Sequence, residues 1–214
     1  MIMALDFIQS DHPAEAVAIW NLIATYFSGC DGFDRAQLVK VDQEYQTRSR
    51  YAFASLCKWS SASAWIAARD RARQDLAIIE VLHSGKVSFF GHTMRLIDGD
   101  DYVFSSDTKR CILLDVIYIT NARVNNYKEM WNQCNAYMRT QPGYVKASLY
   151  QNQSDTDEVK FINIAEWNRT NDLIDATHTN RFSEIVADFK DDFAFYFSHR
   201  LSIGPKHLLG ESGA

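Results

Sequence analysis

The strongest constraint on what this chain can fold into is that it repeats itself. Residues 20–38 (WNLIATYFSGCDGFDRAQL) align without gaps on residues 131–149 (WNQCNAYMRTQPGYVKASL), making Trp20/Trp131, Asn21/Asn132, Tyr26/Tyr137, Gly32/Gly143, Ala36/Ala147 and Leu38/Leu149 identical. Ordinary composition would give about one such identity in a stretch of this length. Other segments recur at nearly the same spacing. Leu5, Asp6 and Ile8 lie 109 residues before Leu114, Asp115 and Ile117, Phe53 and Trp59 lie 108 before Phe161 and Trp167, and Phe90 and His92 lie 107 before Phe197 and His199. An offset that drifts by a residue or two at loops is the mark of a diverged tandem duplication. The 214 residues therefore divide into two copies, expected at 1–98 and 110–204, with the acidic stretch IDGDD (97–101) as the boundary.

Hydrophobic periods order each copy in the same way. In the second copy, CILLDVIYIT (111–120) reads as a buried strand, and VNNYKEMWNQCNAYM (124–138) puts Val124, Tyr127, Met130, Trp131, Cys134 and Met138 on one helical face. Pro142 and Gly143 break the chain before a strand over 144–150, and EVKFINIAEW (158–167) forms the next strand. Thr170 or Asn171 would cap an interrupted helix running through His178 toward Ala187. FAFYFSHRLSI (193–203) closes the unit. The first copy predicts strands over 4–9, 37–43, 50–59 and 86–96, with helices over 13–27 and 62–82. The order βαββαβ is the ferredoxin-like arrangement, an α+β fold.

One repeat cannot bury both faces of such a sheet. Along the third strand of the second copy, Phe161, Asn163, Ala165 and Trp167 share one face, and Ile162 and Ile164 share the other, because strand side chains alternate. Helices cover one face, so the isoleucine face needs a second sheet. The two repeats are thus expected to form one barrel-like core, a covalent pseudo-dimer acting as a monomer, or else a homodimer of such chains.

Composition narrows the function. Net charge is −5, without a long Lys/Arg run, so no basic stripe is present to engage nucleic acid. No stretch reaches the roughly 20 apolar residues of a membrane span, and the first residues lack the pattern of a secretory leader, so the expected setting is cytoplasmic. The four cysteines are scattered, without metal-finger or CxxC spacing, and read as reduced thiols. No phosphate-binding glycine loop, HExxH, nucleophile elbow or carboxylate cluster with metal-ligand spacing is present, and no metal site is expected. The 13 Phe, 10 Tyr and 5 Trp suit either an aromatic core or an aromatic-lined cavity.

The helix with Trp131, then PGY (142–144), NIAEW (163–167) and a helix with His178 resembles the antibiotic biosynthesis monooxygenase superfamily of ferredoxin-like, dimeric α/β-barrel proteins. Within it, NIAEW is similar to the segment of actinorhodin-type anthrone monooxygenases in which an Asn and a Trp face the substrate. The resemblance implies oxidation of a small aromatic or polyketide-like substrate by O2 with no cofactor. It implies catalytic roles for Asn163, as hydrogen-bond partner of a substrate phenol or its anion, and for Trp167, as a wall or electron-transfer neighbour of the aromatic substrate. His178 is a candidate general base, and Trp131, Tyr137, Asn121 and Leu173 are candidate substrate contacts. Leu173 stands where the family has a Tyr, and the family's later Arg has no counterpart near Ala187. A ligand-binding barrel without catalysis therefore stays open. So does a heme-binding or heme-degrading relative, although the late His that ligates heme there has no match near Val186. In the first copy Ser55 replaces Asn163, Trp65 replaces Leu173, and the counterpart of the His178 region carries Arg69, Arg71 and Arg73.

Overall fold

A computed structural model describes residues 1–204. The first repeat comprises β1 (Ile2–Gln9), α1 (Pro13–Ser28), β2 (Phe33–Tyr45), β3 (Phe53–Trp59), α2 (Ala62–Ala72), α3 (Leu76–Leu82) and β4 (Ser88–Gly99). The second comprises β5 (Cys111–Tyr118), a 3-10 turn (Asn121–Arg123), α4 (Val124–Met138), β6 (Tyr144–Asn152), β7 (Val159–Trp167), α5 (Thr170–Thr177), α6 (Asn180–Val186), a second 3-10 turn (Ala187–Phe189) and β8 (Phe193–Ile203). No helix among the described residues is long and apolar enough to cross a membrane.

The eight strands close into one antiparallel barrel in the order β1-β3-β2-β8-β5-β7-β6-β4. Each repeat supplies four consecutive strands, and the seams are β2 against β8 and β4 against β6. Closure removes the exposed edge strands that either half-sheet would present alone. The alternation along the strands decides what fills the inside. Met3, Leu5 and Phe7 of β1, Ile112, Leu114 and Val116 of β5, and Ile162 and Ile164 of β7 form one interior cluster. The opposite faces of the same strands pack beneath the helices of their own repeat, as two further clusters.

The barrel interior also holds charge. Arg200, 1% exposed, donates from Nη2 to Glu166 Oε2 at 2.8 Å and from Nη1 to Oε1 at 3.2 Å. Burial raises the Glu166 carboxyl, but the hydrogen bonds from Arg200 and Arg110 outweigh it and leave the acid below its usual range. The segment between the repeats lies across this network. Tyr102 is buried, and its hydroxyl donates to Gln37 Oε1 at 2.8 Å while accepting from Arg200 Nε at 3.2 Å.

Three local expectations need correction. The helix expected over 62–82 is two helices, because the Asp75 side chain accepts from the backbone N–H groups of Ala77 and Ile78 at 3.0 and 3.2 Å and starts a new helix. Neither Thr170 nor Asn171 caps α5: Thr170 is its first residue, and Arg169 at the N-cap gives no side-chain bond. The pairing of His92 with His199 by repeat also fails. His92 lies opposite Leu5, whereas Leu114, the counterpart of Leu5, lies opposite Tyr196. The two histidines share a different feature, a carboxylate on the other repeat: His92 Nδ1 meets Asp157 Oδ2 at 2.9 Å and His199 Nδ1 meets Asp42 Oδ2 at 2.6 Å.

Candidate functional site

A cavity of about 550 Å³ lies between the outer face of the β5–β8 sheet and helices α4, α5 and α6. Its floor follows from strand alternation: Leu113 and Asp115 of β5, and Asn163, Ala165 and Trp167 of β7, all face it. Its roof follows from helical spacing, which brings Tyr127, Met130, Trp131, Cys134 and Met138 of α4 onto the sheet. Leu173 at the wall is 2% exposed, and Trp167, 1% exposed, meets the ring of Tyr144 edge-on with centroids 5.4 Å apart. Residues 43–46, at the end of β2 and just after it, also line the cavity, so the first repeat completes the pocket of the second.

At the centre is a short polar chain in apolar surroundings. The indole Nε1 of Trp131 donates to Asn163 Oδ1 at 3.1 Å. Asn163 is cross-strand neighbour to Asp115. Burial drives the Asp115 carboxyl well above the usual carboxylate range, and a hydrogen bond from Asn163 pulls the other way. Asp115 Oδ1 has no hydrogen-bond partner. A desolvated carboxylate is a stronger base than one in water. The neighbours are not competing nucleophiles: burial, then the Asp115 charge, pushes the Cys134 thiol up to about 12.

The structure brings Asn163, Trp167, His178, Trp131 and Leu173 to this cavity and leaves two sequence candidates outside it. His178 ends α5 at the rim and is exposed. The Tyr137 hydroxyl instead shares a hydrogen bond with Thr179 Oγ1 at 2.8 Å, and Asn121 is exposed in the turn before α4.

No family model matches the chain, and no curated protein matches its sequence. Solved structures do match along its length. A crystal structure of an anthrone oxidase-like protein superposes with a TM-score of 0.77 at 8% identity, covering 100% of this chain and 95% of that one. A protein from Fusobacterium nucleatum provisionally described as a monooxygenase gives 0.64 at 9% identity, covering 96% and 94%. The chain has the fold of the monooxygenase-like α/β barrels. A major regulator of staphylococcal pathogenesis is also similar, with a TM-score of 0.53 at 6% identity over 94% and 99%, so the shared barrel fixes no single function.

Among the cavity residues of the polar chain, the one not singled out from the sequence as a site candidate is Asp115. It was visible as one acidic residue inside CILLDVIY, and it recurs as Asp6 in the first repeat. An acid inside an otherwise apolar strand must be neutral, paired or functional. Which of these holds depends on neighbours contributed by β7 and α4, far away in sequence.

Proposed function

We propose that the cavity of the second repeat binds a flat aromatic or polyketide-like phenol and oxidises it with O2 alone. The observation that carries this reading is the chain Trp131, Asn163, Asp115 inside an aromatic-walled cavity. In its ionised form Asp115 takes a proton from an acidic C–H or O–H of the substrate, leaving an electron-rich anion. An amide N–H of Asn163, whose oxygen is held by Trp131, stabilises the developing oxyanion, an effect that gains strength where water is excluded. Trp167 and Tyr127 confine the rings. For a methylene flanked by aryl groups, the anion transfers an electron to O2, and recombination gives a C–O bond and a peroxide, which takes up the proton. Loss of the second C–H proton with cleavage of the O–O bond leaves a carbonyl, and the expelled hydroxide leaves as water. One oxygen atom is thus found in the product and one in water, so no external reductant enters the balance.

Oxygen uptake by the pure protein with an anthrone-type phenol tests this. Asp115→Asn should lower kcat by about 10² or more, as loss of a general base does, and Asn163→Ala should lower it as well. Turnover indifferent to both changes would overturn the assignment. A second reading rests on Leu173 standing where the resembled family has a Tyr: a barrel that holds the same class of ligand without reacting. Tight binding with no oxygen consumption would establish it.

A further inference from the structure

The first repeat has its own cavity, of about 330 Å³, between its sheet and α1, α2 and α3. It copies the polar centre of the larger one with altered chemistry. Trp20 Nε1 donates to Ser55 Oγ at 2.9 Å, as Trp131 does to Asn163. Asp6 is cross-strand neighbour to Ser55, as Asp115 is to Asn163. On its other side Asp6 faces Gly91, where any Cβ would collide with Asp6 Oδ1. The missing side chain at 91 therefore gives the carboxyl its space. Two differences set what this pocket can hold. Trp65 occupies the place of Leu173 and packs on Trp59 and Phe27 with centroids 5.3 Å from each, filling volume that stays open in the second repeat. Arg69 enters the lining; its side chain is 40% exposed and Nε lies 3.7 Å from Asp70 Oδ1, too far for a hydrogen bond, so the buried Nε–H makes none.

We propose that this cavity is a second, separate binding site, for a small hydroxylated aromatic acid. The ligand's carboxylate meets the Arg69 guanidinium, its hydroxyl donates to Asp6, and its single ring lies against Trp20, Phe27 and Trp65. A guanidinium at the mouth of an apolar pocket, with an N–H that makes no hydrogen bond, favours a planar anion, because its fork matches a carboxylate and charge-assisted bonds are stronger than neutral ones. Burial lifts the Asp6 carboxyl to about 6 and the Arg69 charge opposes that, so Asp6 gains from a neutral hydroxyl donor. The smaller volume excludes the multi-ring substrates proposed for the other cavity, and the site does not depend on that reading.

The test is titration of the full chain with 3- and 4-hydroxybenzoate, followed by backbone amide NMR. The expected result is 1:1 binding with shifts confined to the residues around this cavity, 5–7, 20–27, 55–57, 65–73 and 89–93. Arg69→Gln should weaken it by about tenfold or more, the cost of losing a charge-assisted contact, while Arg69→Lys retains part of the affinity and Asp115→Asn changes nothing. Benzoate should bind more weakly for lack of the hydroxyl, and 4-hydroxybenzamide for lack of the charge. Shifts centred on the Asn163 cavity, affinity unaffected by Arg69→Gln, or no shifts at millimolar ligand would each overturn the proposal.

Discussion

Trp131 and Asn163 are joined by a buried hydrogen bond of 3.1 Å that ties the roof of the larger cavity to its floor. One repeat away, Trp20 and Ser55 make the equivalent bond at 2.9 Å. The contact has thus persisted while the acceptor changed from amide to hydroxyl. What distinguishes the halves is that only the amide also offers N–H donors, so the bond is structural in both repeats and, in the function proposed, leaves the second a donor for substrate.

Asn163→Leu should therefore destabilise the protein by about 1–3 kcal/mol, since it strands the buried indole N–H. Asn163→Ser, which imports the first repeat's solution, should cost less while still lowering activity on a phenolic substrate. Urea denaturation beside oxygen uptake separates the two effects, and equal stability losses for Leu and Ser would contradict the role given to the bond.

The acid of the first repeat should leave a signature in the pH dependence of stability. Burial raises Asp6 from 3.8 to about 6, so the folded chain keeps this proton to higher pH than the unfolded chain. The resulting stabilisation is complete below about 3.8 and is lost as pH rises through about 6. Asp6→Asn should remove that slope, which amounts to up to about 3 kcal/mol across the window. Parallel denaturation curves for wild type and variant from pH 4 to 7 would contradict it.

Inside the barrel, removing one member of the Arg200 and Glu166 pair should be far worse than removing both. Glu166→Leu leaves the Arg200 guanidinium buried without its main partner, a loss of about 3–5 kcal/mol. Adding Arg200→Met should recover most of it. A double variant no more stable than Glu166→Leu alone would refute the pairing as the source of the cost.

The two cavities should be interconvertible in size. Leu173→Trp copies Trp65 and should shrink the larger cavity, weakening binding of a three-ring phenol at an overpacking cost of about 1–3 kcal/mol. Trp65→Leu should enlarge the smaller one and admit larger aromatic acids. Affinities measured on both variants check this, and unchanged ligand preference would show that other residues set the volumes.

Much of the architecture was legible because its signals are local. The strand 193–203 and the helix 124–138 have the ends that apolar periodicity assigns them, and the alternation in FINIAEW separates barrel-facing Ile162 and Ile164 from the cavity face. The break at Asp75 was less legible, because a short polar side chain reads as helix surface until its bonds to Ala77 and Ile78 are seen. The register of the last strands was misjudged because Phe90 and His92 match Phe197 and His199 by type, whereas pairing is decided by which residues meet β1 and β5.

By itself, then, the sequence determined two copies of one βαββαβ unit and the faces of their elements, since backbone period and side-chain polarity are properties of neighbouring residues. Only the tertiary structure decided how the seams close the barrel, that residues 43–46 of the first repeat wall the second repeat's cavity, and that Asp115 is the acid stripped of water. Desolvation is a property of everything packed around a group. For Asp115 those neighbours come from β7 and α4, and folding alone brings them together.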